Sequence, residues 1–95
     1  MISQEKAKEL KKGYHQVLSS LTDKELIAEY NQINKDRGIP KLGNVQGLYL
    51  MTMHKQFMKR FEKSPVIIGD NFSMKLGVHI VYYEFIENFN FLNQN

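Results

Sequence analysis

The side chains able to do chemistry are few and scattered along the chain. Three histidines, His15, His54 and His79, are the first candidates for metal binding or proton transfer. A helical metal motif needs two such rings four residues apart with a carboxylate in reach. None of the three is so placed, and no Asp or Glu flanks them in a ligand pattern. His54 is expected at the edge of a core with its ring against apolar neighbours. His15, beside Tyr14 on a lysine-rich stretch, is expected in solvent, and His79 is expected to point away from a strand's core face. Ser3, Ser19, Ser20, Ser64 and Ser73 have no nucleophile-elbow context and no evident His and acid partners. Glu84 and Glu87 share a face only if their segment is helical; on a strand they point to opposite sides. Gly43-Asn44-Val45-Gln46-Gly47 precedes a helical pattern as an anion-seating loop does. It lacks the lysine and hydroxyl of a nucleotide loop, so it reads as a helix cap. With no cysteine, disulfides and thiolate zinc sites are excluded. The expectation is therefore no catalytic residue, no metal ligand and no cofactor: a chain that binds rather than one that catalyses.

Two surfaces remain for binding. Lys55, Lys59 and Lys63 recur every four residues with Arg60 beside them, and Lys6, Lys8, Lys11 and Lys12 crowd the N-terminal segment. Such a patch can touch phosphates, or simply keep a helix face solvated. Phe57 and Phe61 belong to an apolar stripe, so stacking aromatics do not interleave with these cations. The charge is also uneven. Residues 1–63 hold twelve Lys/Arg against seven Asp/Glu, whereas residues 64–95 hold one lysine against three acids, within an overall charge of +3. The second surface is aromatic: Tyr82, Tyr83, Phe85, Phe89 and Phe91 are five of the eleven Phe and Tyr residues. As a strand, this segment puts Tyr82 on one face and the other four on the opposite one. One face can rest on helices. The other is covered within the monomer, by a partner protein, or by a second copy pairing along residues 78–91.

Local patterns predict the elements that carry these surfaces. Ser3 can cap a helix over about 4–20, with Ala7, Leu10, Tyr14, Val17, Leu18 and Leu21 as its buried stripe and Gly13 as a weak point. Thr22-Asp23-Lys24-Glu25 is a capping box for a helix over about 23–37, with Leu21 and Leu26 placed as a hydrophobic staple. Leu26, Ile27, Tyr30 and Ile33 form its buried face, and Gly38 is its expected left-handed stop, followed by Ile39 and Pro40. A short turn predicts that these two helices form an antiparallel hairpin. Asn44 can cap a third helix over about 45–62, with Leu50, Met53, Phe57 and Phe61 inward, Leu48, Met51 and Met58 broadening the stripe, and Ser64-Pro65 ending it. Val66-Ile67-Ile68 then reads as a strand, a turn follows at Gly69-Asp70-Asn71, and the β-branched and aromatic run to residue 91 continues as strand. Its residues also fit helical spacing. The expected fold is thus α+β: three N-terminal helices and a small antiparallel β element over about 66–91, in one domain spanning 1–95, with an all-α bundle as the alternative. No apolar run reaches the ~20 residues of a membrane span, and Met1-Ile2-Ser3-Gln4-Glu5-Lys6 lacks a signal peptide's apolar stretch. The expected location is cytoplasmic, with no membrane partner.

Leu50 to Met74 carries a resemblance. Met53-His54-Lys55, Phe57-Met58-Lys59-Arg60-Phe61, Ser64-Pro65-Val66-Ile67-Ile68 and Asp70-Asn71 resemble segments of small uncharacterised accessory proteins of bacteria and their phages. It covers about a quarter of the chain. Such proteins commonly bind and block a host enzyme, CRISPR nucleases included, through an exposed surface. The resemblance implies an anti-CRISPR-like inhibitor or regulator of a host nucleic-acid enzyme, active in the host cytoplasm, whose partner is a host protein or ribonucleoprotein. It carries over no functional residue. From the residues themselves, the expected binding surface is Lys55, Lys59, Arg60 and Lys63 with Tyr82, Tyr83 and Phe85. Direct nucleic-acid binding through the basic helix face and a structural homodimer through residues 78–91 are the alternatives.

Overall fold

A computed structural model describes residues 3–69 and 74–77. Its first helix, α1, runs Gln4–Ser19 and starts where Ser3 Oγ accepts the Lys6 backbone N–H at 3.1 Å. The second, α2 (Asp23–Asp36), begins on the complete capping box: Thr22 Oγ1 accepts from Glu25 N, and Glu25 Oε1 accepts from Thr22 N. These two bonds satisfy N–H groups that a helix's first turn otherwise leaves open. The Thr22 backbone N–H, and after it the Thr22 side chain, hold the Glu25 carboxyl below the usual carboxylate range.

The exit from α2 differs from the expectation. Arg37, not Gly38, takes the left-handed conformation at φ 58°, ψ 41°. Arg37 N donates to Asn34 O and Gly38 N to Ile33 O, the paired bonds of a Schellman motif. Gly38 follows at φ 130°, so two successive residues of positive φ turn the chain. Pro40 then opens a short 3-10 helix, Pro40–Val45, which leads directly into α3 (Gln46–Phe61). This corrects the Asn44 cap. Val45 occupies the N-cap position without a side-chain bond, and Gln46 N finds the Gly43 carbonyl instead. Gln46 Oε1 also accepts from Ile39 N at 3.1 Å, closing the connection on itself. At its far end α3 stops before Ser64-Pro65 is reached. Glu62 turns left-handed at φ 60°, and its N–H caps Met58 O.

Two three-residue strands follow, β1 (Val66–Ile68) and β2 (Met74–Leu76), paired antiparallel with Val66 opposite Leu76 and Ile68 opposite Met74. The described residues are thus mostly helical, as both the α+β reading and the all-α alternative require. The strand pair accounts only for the beginning of the expected β element. Residues 78–91, with His79, Tyr82, Tyr83, Glu84, Phe85 and Glu87, lie outside the described residues.

The core is one cluster in which α2 gives Leu26, Ile27, Tyr30 and Ile33, α3 gives Leu50, Met53, Phe57 and Phe61, and Leu18, Ile39 and Val66 complete it. Both predicted inner faces are therefore buried as read. The α1 stripe is not. Leu18 is buried, whereas Ala7, Leu10, Tyr14 and Leu21 are half-buried and Val17 is 53% exposed. The backbone of α1 also runs close to α3, a contact that the expected hairpin with α2 did not include. Tyr14 meets Tyr49 edge-on with ring centroids 5.1 Å apart, and Arg60 reaches the last carbonyls of α1.

Gly77 shows how tightly the hairpin is seated. Its N–H donates to Pro65 O at 3.0 Å, and its carbonyl accepts from Asn34 Nδ2, which also donates to the Tyr30 hydroxyl. A Cβ at Gly77 would sit 2.6 Å from Pro65 O, so only glycine fits this approach. Tyr30 is wholly buried there, and that burial raises its pKa above the ordinary phenol value.

Candidate functional site

Four of the expected binding residues lie on or just after α3, and the structure separates them. At 100° per residue, Tyr49, Gln56 and Arg60 share the flank that meets α1, and Leu50, Met53, Phe57 and Phe61 share the core side. Met51, Lys55 and Met58, with Lys59 beside them, point away from both.

Arg60 does not belong to an open cationic face. Its side chain is 16% exposed, and all three of its nitrogens donate hydrogen bonds. Nη1 binds Asp23 Oδ1 at 3.1 Å, Nη2 binds Leu18 O at 3.1 Å and Ser19 O at 3.4 Å, and Nε binds Gln56 Oε1 at 3.2 Å. One guanidinium therefore joins the C-terminus of α1, the N-terminus of α2 and a buried amide on α3. Cationic donors suit the carbonyl end of a helix, and a carboxylate suits the other end, so Arg60 and Asp23 each match the helix dipole they face. Lysine could not reproduce this, lacking five donors in a fixed plane.

Lys63 is also withdrawn. It is half-buried, has a bonding partner, and burial lowers its pKa below the usual lysine value. Lys55 and Lys59 are exposed, and neither is paired among the described residues. The same holds for Lys8, Lys11 and Lys12 of α1, which with exposed His15 form an i, i+3, i+4, i+7 row on that helix.

The sequence matches no family model, no curated protein and no solved structure. What this chain can do must be argued from its own side chains. Among the described residues, no group of three or more His, Asp or Glu is placed to hold a metal ion. No helix among them is long and apolar enough to cross a membrane. His54 is half-buried, as its place beside the apolar stripe suggested, and its Nδ1 is buried with no hydrogen-bond partner among the described residues. Tyr82, Tyr83 and Phe85 lie outside the described residues.

Sequence reasoning missed one polar cluster. The Tyr49 hydroxyl donates to Glu29 Oε2 at 3.0 Å, with the Tyr14 ring against Tyr49. Burial, then the Glu29 charge and its acceptance of the phenolic hydrogen, push the Tyr49 pKa up. The bond joins α2 to α3, and no local spacing announces it, because residues 29 and 49 belong to separate elements.

Proposed function

We propose that the chain is a non-enzymatic binding module, a small inhibitor or regulator of a host nucleic-acid enzyme of the kind carried by phages and mobile elements, acting in the host cytoplasm. Its docking surface is cationic. The observation that carries this reading is a group of exposed lysines, Lys8, Lys11 and Lys12 on α1 and Lys55 and Lys59 on α3 among them, that no carboxylate pairs among the described residues. Exposed charges of one sign steer and orient an oppositely charged partner. Here that partner is an anionic surface of a host protein or ribonucleoprotein. The antiparallel element extends beyond Gly77 to about residue 91 in this reading, and Tyr82, Tyr83 and Phe85 add aromatic area to the interface. Affinity capture with the native chain and with a Lys55→Glu/Lys59→Glu variant tests it. The native chain should retain a partner that the folded variant loses; identical capture by both removes the cationic surface from the function.

A second reading, direct nucleic-acid binding, is favoured by the α1 row alone, because Lys8, Lys11 and Lys12 can follow one phosphate backbone. It requires affinity for DNA or RNA that falls steeply with salt and weakens on charge reversal in α1. Fluorescence anisotropy showing no binding at low salt rejects it.

A further inference from the structure

The outer face of α3 is more than a charged surface. Met51, Lys55 and Met58 follow i, i+4 and i+7, one continuous stripe at helical spacing. Met58 is 42% exposed, Met51 is half-buried, and Lys55 and Lys59 are exposed and unpaired among the described residues. Leu50, Met53, Phe57 and Phe61 occupy the core side of α3, and neither Met51 nor Met58 belongs to that cluster. We infer that this stripe docks an acidic amphipathic helix of a partner protein, whose apolar ridge covers Met51 and Met58 and whose carboxylates pair with Lys55 and Lys59.

This inference rests on the binding-module reading and names the chemistry of its partner. Three features of the stripe select a helix with acidic flanks. The two methionines stand two turns apart, about 10 Å along the axis, which matches the anchor spacing of a helix laid along a helix. Methionine is flexible and polarizable, so it shapes itself to an incoming apolar side chain, and it is enriched at protein interfaces. A phosphate backbone would neutralise the lysines equally well, but it offers no apolar counterpart to Met58. The charge pattern is the third feature: acids belong opposite Lys55 and Lys59, beside the methionine anchors.

The test uses the full chain and fluorescence anisotropy with three labelled probes. They are a synthetic leucine–glutamate amphipathic peptide of about 20 residues, a polyglutamate peptide of equal charge, and a single-stranded oligonucleotide. The amphipathic peptide should bind about tenfold more tightly than either of the others. Met58→Ser should weaken it about fivefold with no change in the melting temperature, since the side chain is exposed. Lys55→Glu/Lys59→Glu should weaken it further and flatten its salt dependence. Equal affinity for polyglutamate, preference for the oligonucleotide, indifference to Met58→Ser, or no binding of any probe each overturns the inference. A captured host partner that is lost on lysine reversal but not on Met58→Ser would leave the broader reading standing while this one fails.

Discussion

Replacing Arg60 by methionine separates architecture from binding. Methionine keeps an apolar stem of similar length and removes the guanidinium. The Asp23 ion pair is the smaller part of what is lost, because the Asp23 side chain is 48% exposed and such pairs contribute about 1 kcal/mol or less. The larger part lies inward. Leu18 O, Ser19 O and Gln56 Oε1 lose a charged donor, and Gln56 is only 3% exposed. A hydrogen bond to a charged group contributes about 1.5–3 kcal/mol, and bonds sharing one donor group are not additive. The expected destabilisation by Arg60→Met is therefore about 2–4 kcal/mol, and Asp23→Ala should cost about 1 kcal/mol or less. For a chain of this length, such a loss lowers the melting temperature by about 10–20 °C. Urea unfolding followed by far-ultraviolet circular dichroism measures both variants on one scale. Arg60→Lys should recover little, and the loss should persist at high salt, since buried bonds are poorly screened. An Arg60→Met cost below about 0.5 kcal/mol, or one matched by Asp23→Ala, would refute the argument. The first would mean that water replaces every bond, and the second that the exposed ion pair is what matters.

Three further outcomes follow from local geometry. Gly77→Ala drives a methyl against the Pro65 carbonyl, 2.6 Å from the ideal Cβ, and should cost about 1–3 kcal/mol in the same urea assay. Arg37→Gly and Glu62→Gly relieve left-handed conformations at φ 58° and 60°. The relief of about 1–2 kcal/mol is partly offset by the greater freedom of glycine in the unfolded chain, so each should stabilise by about 0.5–1 kcal/mol. The raised pKa of Tyr49 has a definite pH signature. The folded state keeps a proton that the unfolded chain releases, so the stabilisation is whole below the ordinary phenol range and erodes as pH climbs past about 10. Thermal melts between pH 9 and 11, about the titration range of a free phenol, should show that erosion, and Tyr49→Phe should shrink it, leaving the share contributed by Tyr30.

Much of the helical architecture is legible from neighbours in sequence. The Thr22–Glu25 box and the Leu26–Ile27–Tyr30–Ile33 face need only spacings of three and four, and both stand as read. The misreadings lie where the needs of the next turn or a distant contact compete with a local preference. Gly38 is the better left-handed residue by intrinsic conformation, yet Arg37 takes that place while Gly38 supplies the more extreme φ of 130° that the next turn needs. The short turn after α1 points to α2 as a neighbour, and nothing local announces that the Tyr14–Tyr49 contact and the reach of Arg60 also hold α1 against α3. Arg60 looked like a fourth member of the lysine row because spacing gives a side chain's direction, not its partners. Its difference in type was the available signal: one arginine among lysines, four residues after a glutamine on the same face.

That difference bears on function as much as on stability. A helix has one circumference, and α3 divides it three ways: the core side is apolar, the α1 side is held by Gln56, Arg60 and Tyr49, and what remains is Met51, Lys55, Met58 and Lys59. A guanidinium suits fixed, desolvated carbonyls, whereas an ammonium is strongly hydrated and stays mobile in solvent. The chain uses each where its physics fits, arginine to lock three helices and lysine to face water. Lysine pairs that stay solvated confer little stability, so removing Lys55 and Lys59 should leave the fold unchanged. If they matter, it is for what they meet outside the molecule, and Met58 beside them indicates that the encounter is with more than charge.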